Sequence, residues 1–206
     1  MRQLYDMGEL YIVPFFYILG VLSSSIAALL TNIINNQYYY LHPTHQMASR
    51  KLIVVQYGPY GNQFQKENQR FSMKIEGNEF IKEVIIRHGK CIDAIGFVAG
   101  GLTVTSGALI NNESKIKLGR GEFITKISGT SGEYTYAGHD RVISTLKIYT
   151  NFNPKGYGPF GTGEDTKNVT AFSSPDELEG RFVGFFGNAP GFIYSLGIYA
   201  EKAGAD

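Results

Sequence analysis

The side chains in this 206-residue chain that could carry chemistry are few, and they do not converge. His42 and His45 stand in "HPTH", a spacing that could offer two imidazoles to a metal. No cysteine or carboxylate stands near them to complete a ligand set, so the pair reads as solvated linker. Glu164 and Asp165 are adjacent carboxylates. Neighbours on an extended chain point to opposite faces, whereas a sugar-cleaving pair must converge across a cleft. The triplet Gly119-Arg120-Gly121 has no Lys-Ser/Thr follower and opens a strand, which excludes a phosphate loop. His88 and His139 are placed in turns. Cys91 is the lone cysteine, lies beside a strand, and reads as a small buried thiol and not as a nucleophile. No catalytic residue, metal-ligand set or cofactor is assigned from these residues. Asn112 and Asn168 open the sequons "NES" and "NVT", which matter only if the chain enters the secretory pathway.

The elements that would position any site are clearer. A net charge of +1 gives no basic face for phosphates and argues against a nucleic-acid partner. Fourteen Tyr, fourteen Phe and 25 Gly with no Trp suit short strands joined by tight turns. One strand pattern occurs three times: "IDAIGF" from Ile92, "ISTLKI" from Ile143 and "IYSLGI" from Ile193. Each copy has a predecessor of matching type: "EFIKEVII" from Glu79, "EFITKIS" from Glu122 and "RFVGFF" from Arg181. The segments between them, "RHGK", "GTSGEYTYAGHD" and "GNAPG", supply turn residues, so each unit is a hairpin. Ile95 and Phe97, Leu146 and Ile148, and Leu196 and Ile198 fall at period two on one face.

A single hairpin is marginal in water, so the three must bury these faces against one another. Further strands are expected at Lys51–Gly58, Arg70–Gly77, Ser114–Gly119 and near "VTAFSS", and "YGPYG" at Tyr57 returns as "YGPFG" at Tyr157. Three sheets around one core accommodate all of this; a propeller needs more than three blades.

In its order and spacing the set "YGPYG", "IDAIGF", "EFITKISGTSGEY", "VISTLKIYTN", "YGPFG", "FVGFFG" and "LGIY" resembles the jacalin-related plant lectins, particularly the mannose-binding type of grasses. The resemblance covers residues 52–200. It implies an all-β fold, β-prism I, of three four-stranded antiparallel Greek-key sheets with pseudo-threefold symmetry. It also implies non-catalytic, metal-independent binding of mannose- or glucose-type sugars, with no cofactor.

In that family the sugar is held by a glycine-rich loop after the first strand and a Gly-x-x-x-Asp loop before the last strand. An ionised carboxylate can accept from two vicinal hydroxyls, and backbone N–H groups of a glycine turn supply matching donors. Carried onto this chain, the Asp position is Tyr194, although the first repeat keeps Asp93 in the equivalent place. Pro190 takes the glycine position and Gly191 lies one residue out of step. The first loop is reduced to Gly61 and Asn62, and "SGALINNES" lacks the family's glycine pair. Two outcomes follow. In one, Gly61, Asn62, Gly191, Phe192, Ile193 and Tyr194 line a remodelled sugar pocket walled by Tyr134 and Tyr136. In the other, the domain has lost sugar and serves as a protein-interaction or oligomerisation module.

Residues 1–50 are set apart as an apolar leader and linker, 51–201 as the jacalin-type lectin domain and 202–206 as a tail. Tyr11 to Ile34 is mostly apolar and about long enough to cross a bilayer. Pro14, Ser23–Ser25 and Asn32 interrupt it, and Arg2 is offset by Asp6 and Glu9. A membrane anchor or uncleaved signal, a cleaved signal and an extension upstream of the natural start all remain open. A start at Met47, in "MASRK", predicts a cytoplasmic protein; a genuine leader predicts the secretory pathway or membrane anchoring. Expected partners are mono- and oligosaccharides and further copies of the chain, with a membrane only if residues 11–34 are a true anchor.

Overall fold

The computed structural model describes residues 52–62, 69–138 and 140–204, so the leader and linker with His42, His45 and Met47, and also His139, lie outside the described residues. Among the described residues twelve strands run, beginning with β1 (Leu52–Gly61), β2 (Arg70–Lys74), β3 (Ile81–His88), β4 (Ile92–Ala99), β5 (Leu102–Gly107) and β6 (Asn112–Lys117). They continue as β7 (Ile124–Tyr134), β8 (Arg141–Thr150), β9 (Tyr157–Phe160), β10 (Thr166–Ser173), β11 (Arg181–Asn188) and β12 (Ser195–Ala203). They make three four-stranded sheets ordered β5-β4-β3-β6, β10-β7-β8-β9 and β1-β12-β11-β2. Every pairing is antiparallel. In each sheet a repeat hairpin forms the middle pair and an outer strand flanks each side. The third sheet is closed by β1 and β2, so the beginning of the domain completes the unit that its end starts.

The period-two residues carry the core. Ile95, Phe97, Leu146, Ile148, Leu196 and Ile198 are all buried and belong to one apolar cluster with residues of all three sheets. The pseudo-threefold relation is drawn tight at one end. Ile92, Ile143 and Ile193, the first residues of the three hexapeptides, are each 0% exposed. Their backbones are linked across repeats: Ile193 N–H donates to Ile92 O at 2.9 Å, and Ile143 N–H donates to Ile193 O at 2.8 Å. We call this end the apex.

The strands differ from the sequence expectation in four places. β12 begins at Ser195 because Ile193 spends its backbone groups on the other two repeats. The second-repeat turn, expected from Gly129, occupies only 135–140, because β7 stays in register with β8 and β10 as far as Tyr134. Glycine permits this: a Cβ on Gly129 would lie 2.0 Å from Thr145 O. His88 is the last residue of β3 and not a turn residue. β5 and β9 were not anticipated as strands, although β9 is the "YGPF" of the observed echo. Both copies of that echo carry a cis Gly–Pro peptide, Gly58–Pro59 and Gly158–Pro159.

The burial pattern gives a direct test. Leu146→Ala deletes a fully buried side chain between sheets and is expected to cost about 2–5 kcal/mol in urea unfolding. Leu102→Ala, at a position 73% exposed, should change stability by no more than about 0.5 kcal/mol.

Candidate functional site

The apex gathers most of the residues singled out from the sequence. At the end of β1, Gly61 adopts φ +98°, and a Cβ there would lie 2.5 Å from Tyr194 O and 2.8 Å from Ile143 Cδ1. Only glycine lets the chain turn this close to the third-repeat loop. Asn62 N–H then donates to Tyr194 O at 2.9 Å, and the first-strand loop lies edge to edge with the segment before β12. That segment is pinned on every side. Gly191 O accepts from Ala108 N–H at 2.7 Å, Ile193 bonds to the other two repeats, and Tyr194 N–H donates to Asn188 O at 2.9 Å. Gly191 itself faces open space, with nothing within 4 Å of where a Cβ would stand.

The aromatic residues form a second, smaller cluster beside the main core. Cys91, Tyr134 and Val142 are its buried members, with Ala137, Phe192 and Tyr194 packed against them. Tyr134 meets Phe192 edge-on at 5.4 Å and Tyr136 at 5.5 Å. Tyr134 is therefore a buried prop, while Tyr136 is 69% exposed, with Lys90 Nζ 5.6 Å from its ring centroid. The half-buried Tyr194 hydroxyl interacts with the Asp140 carboxylate. Burial first, and that carboxylate second, push the phenol above its ordinary pKa, so it stays a proton donor at neutral pH.

Of the sequence candidates, Gly61, Asn62, Gly191, Phe192, Tyr134, Tyr136 and Tyr194 thus share one end of the prism. Ile193 does not line a surface: its side chain is core and both its backbone groups are bonded. Two carboxylates at this end need separate accounts. Asp93, the first-repeat counterpart of Tyr194, is 1% exposed; its Oδ2 accepts from Asn111 Nδ2 at 2.9 Å and its Oδ1 lies 3.9 Å from Cys91 Sγ. Burial holds its pKa above the usual range against the opposing effects of Asn111, His88 and Cys91. Gly89 and Asp93 stand at the Gly-x-x-x-Asp spacing, a signal readable in the sequence that comparison with the third repeat alone passes over. Asp140, which the sequence reading did not single out, is exposed at the end of the β7–β8 turn. It stands four residues before Ser144, as Gly89 stands before Asp93 and Pro190 before Tyr194.

Glu164 and Asp165 lie on a turn and not on an extended segment. Asp165 has φ +58° and its carboxylate is engaged by Lys90 Nζ. Among the described residues no three of His, Cys, Asp and Glu group as a metal site.

The residues 56–199 match the family model of the jacalin-like lectin domain. The chain belongs to the jacalin-like lectin family. Among related proteins, a mannose/glucose-specific lectin of Parkia pendula is 32% identical over 156 residues, which is 72% of this chain but 32% of that one. Horcolin of Hordeum vulgare subsp. vulgare is 29% identical over 153 residues, 70% of this chain and 95% of that one. The chain thus spans about a third of the length of the Parkia pendula lectin. Among solved structures, wild-type Malaysian banana lectin aligns with TM-score 0.57 and 30% identity over 74% of this chain and 100% of that one. A mannose-binding jacalin-related lectin of Ananas comosus aligns with TM-score 0.55 and 25% identity, over 73% and 99%. These are β-prism I neighbours of the fold described above.

For a jacalin-like domain the buried thiol is an accessory of packing, not of chemistry. Burial, then the neighbouring Asp93, push Cys91 up to about 12. The native protein is therefore expected to resist iodoacetamide at pH 8, with alkylation of Cys91 by mass spectrometry appearing only on unfolding.

Proposed function

We propose that the protein is a non-catalytic lectin for mannose- or glucose-type sugars, bound at the apex. The observation that carries this reading is the Asn62 N–H to Tyr194 O bond. It holds the first-strand loop against the 191–194 segment, the pair of elements with which the family meets its sugar. The open space at Gly191 supports the same site. Relatives named as mannose/glucose-specific and mannose-binding lectins support the sugar class.

The acceptor that Tyr194 removes is supplied in this proposal by Asp140. Its carboxylate is exposed, stands at the same end, and is oriented by the Tyr194 hydroxyl. A carboxylate so placed can take two hydroxyls of a pyranose while Tyr136 offers its ring to an apolar sugar face. A second reading has its own support. Tyr194 packs with Cys91, Tyr134, Val142 and Phe192, and an apex consolidated in this way suits a protein-interaction or self-association module.

Titration calorimetry of methyl α-mannoside and a branched mannose oligosaccharide into the full chain separates them. The lectin reading expects a Kd near millimolar or tighter, about −4 kcal/mol. Asp140→Asn should then weaken binding by about tenfold, the worth of a charge-assisted bond. Silence from the wild type with binding gained by Tyr194→Asp would mean that the tyrosine ring fills the site and that Asp140 does not replace the lost carboxylate. Silence from both would hand the apex to the interaction module.

A further inference from the structure

The opposite end of the prism is built differently. There β3, β7 and β11 begin, and the aromatic residue at each start is threefold-related: Phe80, Phe123 and Phe182. Phe182 is buried, but among the described residues Phe80 is 66% and Phe123 47% exposed. Between them lies a cavity of about 850 Å³, floored by the buried Ile81, Ile124 and Phe182. Its size is that of a site for a drug-sized organic molecule. The apical residues sit at the far ends of these same strands, roughly 25 Å away for an eight-residue strand at about 3.3 Å per residue.

The polar groups of the cavity give its charge a direction. Glu122 lines it, but both carboxylate oxygens are committed: Oε1 accepts from Thr150 Oγ1 at 2.6 Å and Tyr157 Oη at 3.0 Å, and Oε2 from Gly119 N–H at 2.9 Å. Arg181 is also spent. It donates to Glu79 O and Gly77 O, pairs with Glu201 at 3.1 Å, and lies 5.3 Å over the Phe80 ring. Lys82 and Arg120 line the same cavity, are exposed, and have no side-chain hydrogen bond or ion pair among the described residues. An apolar hollow with two unspent cations at its rim is complementary to one kind of small molecule.

We propose that this basal cavity binds a monomeric anionic amphiphile, an apolar chain or ring system ending in a carboxylate, with the body among Phe80, Phe123 and the floor and the head between Lys82 and Arg120. The site is independent of sugar recognition and stands whether or not the apex binds mannose. A long-chain monocarboxylate is the simplest member of the class.

The test uses the full chain and 8-anilinonaphthalene-1-sulfonate, whose fluorescence rises on apolar burial, with dodecanoate, dodecanol and dodecyltrimethylammonium as competitors below their aggregation concentrations. Saturable one-to-one probe binding is expected, displaced by dodecanoate at least about fivefold more effectively than by the other two, the scale of two half-solvated charge contacts. The Lys82→Gln/Arg120→Gln double variant should bring the three competitors to within about twofold of one another. Phe123→Ser should weaken all of them by about tenfold through lost apolar contact. Circular dichroism checks that both surface variants fold, and methyl α-mannoside should displace nothing. Equal displacement by all three head groups, absence of saturable probe binding, or displacement by mannoside would overturn the proposal. So would a wild type that sediments as a dimer, binds no probe and turns monomeric on Phe123→Ser, which would make this face a contact between copies.

Discussion

The constraint on which this molecule rests is that each of its hairpins has one apolar face and no way to bury it alone. Two strands give too little area to hold their own order, and two hairpins packed face to face would leave the third exposed. Three sheets meeting around a shared axis bury all three faces at once, and the repeated hexapeptide is the sequence record of that solution. The meeting is not only side chain to side chain. Where Ile193 donates to Ile92 and accepts from Ile143, the repeats trade backbone hydrogen bonds near the axis. A buried N–H or C=O without a partner costs roughly 1–3 kcal/mol, so these links fix where each hairpin must start.

That fixed start is what gives the apex its geometry. Tyr194 follows a residue that cannot move, and its carbonyl is therefore available, at a set position, to Asn62. Gly61 brings Asn62 there because no other residue could turn so near Tyr194 O and Ile143. The loops at this end are thus hung from the core and are not free coils. Replacing a small acid by tyrosine at such a position has a physical consequence beyond the lost charge. The ring is long enough to reach Cys91 and Val142 and adds itself to the cluster centred on Tyr134. The hydroxyl at its tip meets Asp140 of the second repeat, so an anionic group stands beside the ring at the apex.

The fold was legible because its signal is redundant: three hexapeptides, three predecessors and period-two large residues all ask for the same packing. The outer strands were less so. β5 reads "LTVTSG", mostly exposed, and its pairing to β4 is decided by the neighbour and not by its own pattern. The overlong turn assigned at Gly129 has the same origin, since glycine signals a turn in isolation but here admits the close approach of Thr145. At the apex, Gly61, Asn62 and Tyr194 were named from the family resemblance, Tyr194 by aligning the third repeat. Ile193 could not be told from a lining residue, because its burial depends on Ile92 and Ile143, which lie in the other two repeats and meet it only through the fold. Asp140 escaped notice for a related reason: nothing local distinguishes it, and its contact is with a tyrosine in another repeat.

The two ends of the prism also show what threefold symmetry does and does not dictate. At the apex the three equivalent isoleucines are all buried and the loops above them differ, so divergent loops stand on an identical foundation. At the base the equivalence is broken in the foundation itself. Phe182 is buried against Phe185, while Phe80 and Phe123 stay exposed beside the basal cavity, Phe80 with Arg181 over its ring. Fully covering Phe80 and Phe123 as well would be worth up to roughly 1.5–3 kcal/mol for each ring. Among the described residues the apolar core is thus closed at the apex by three equivalent isoleucines and reaches the surface at the base beside Phe80 and Phe123.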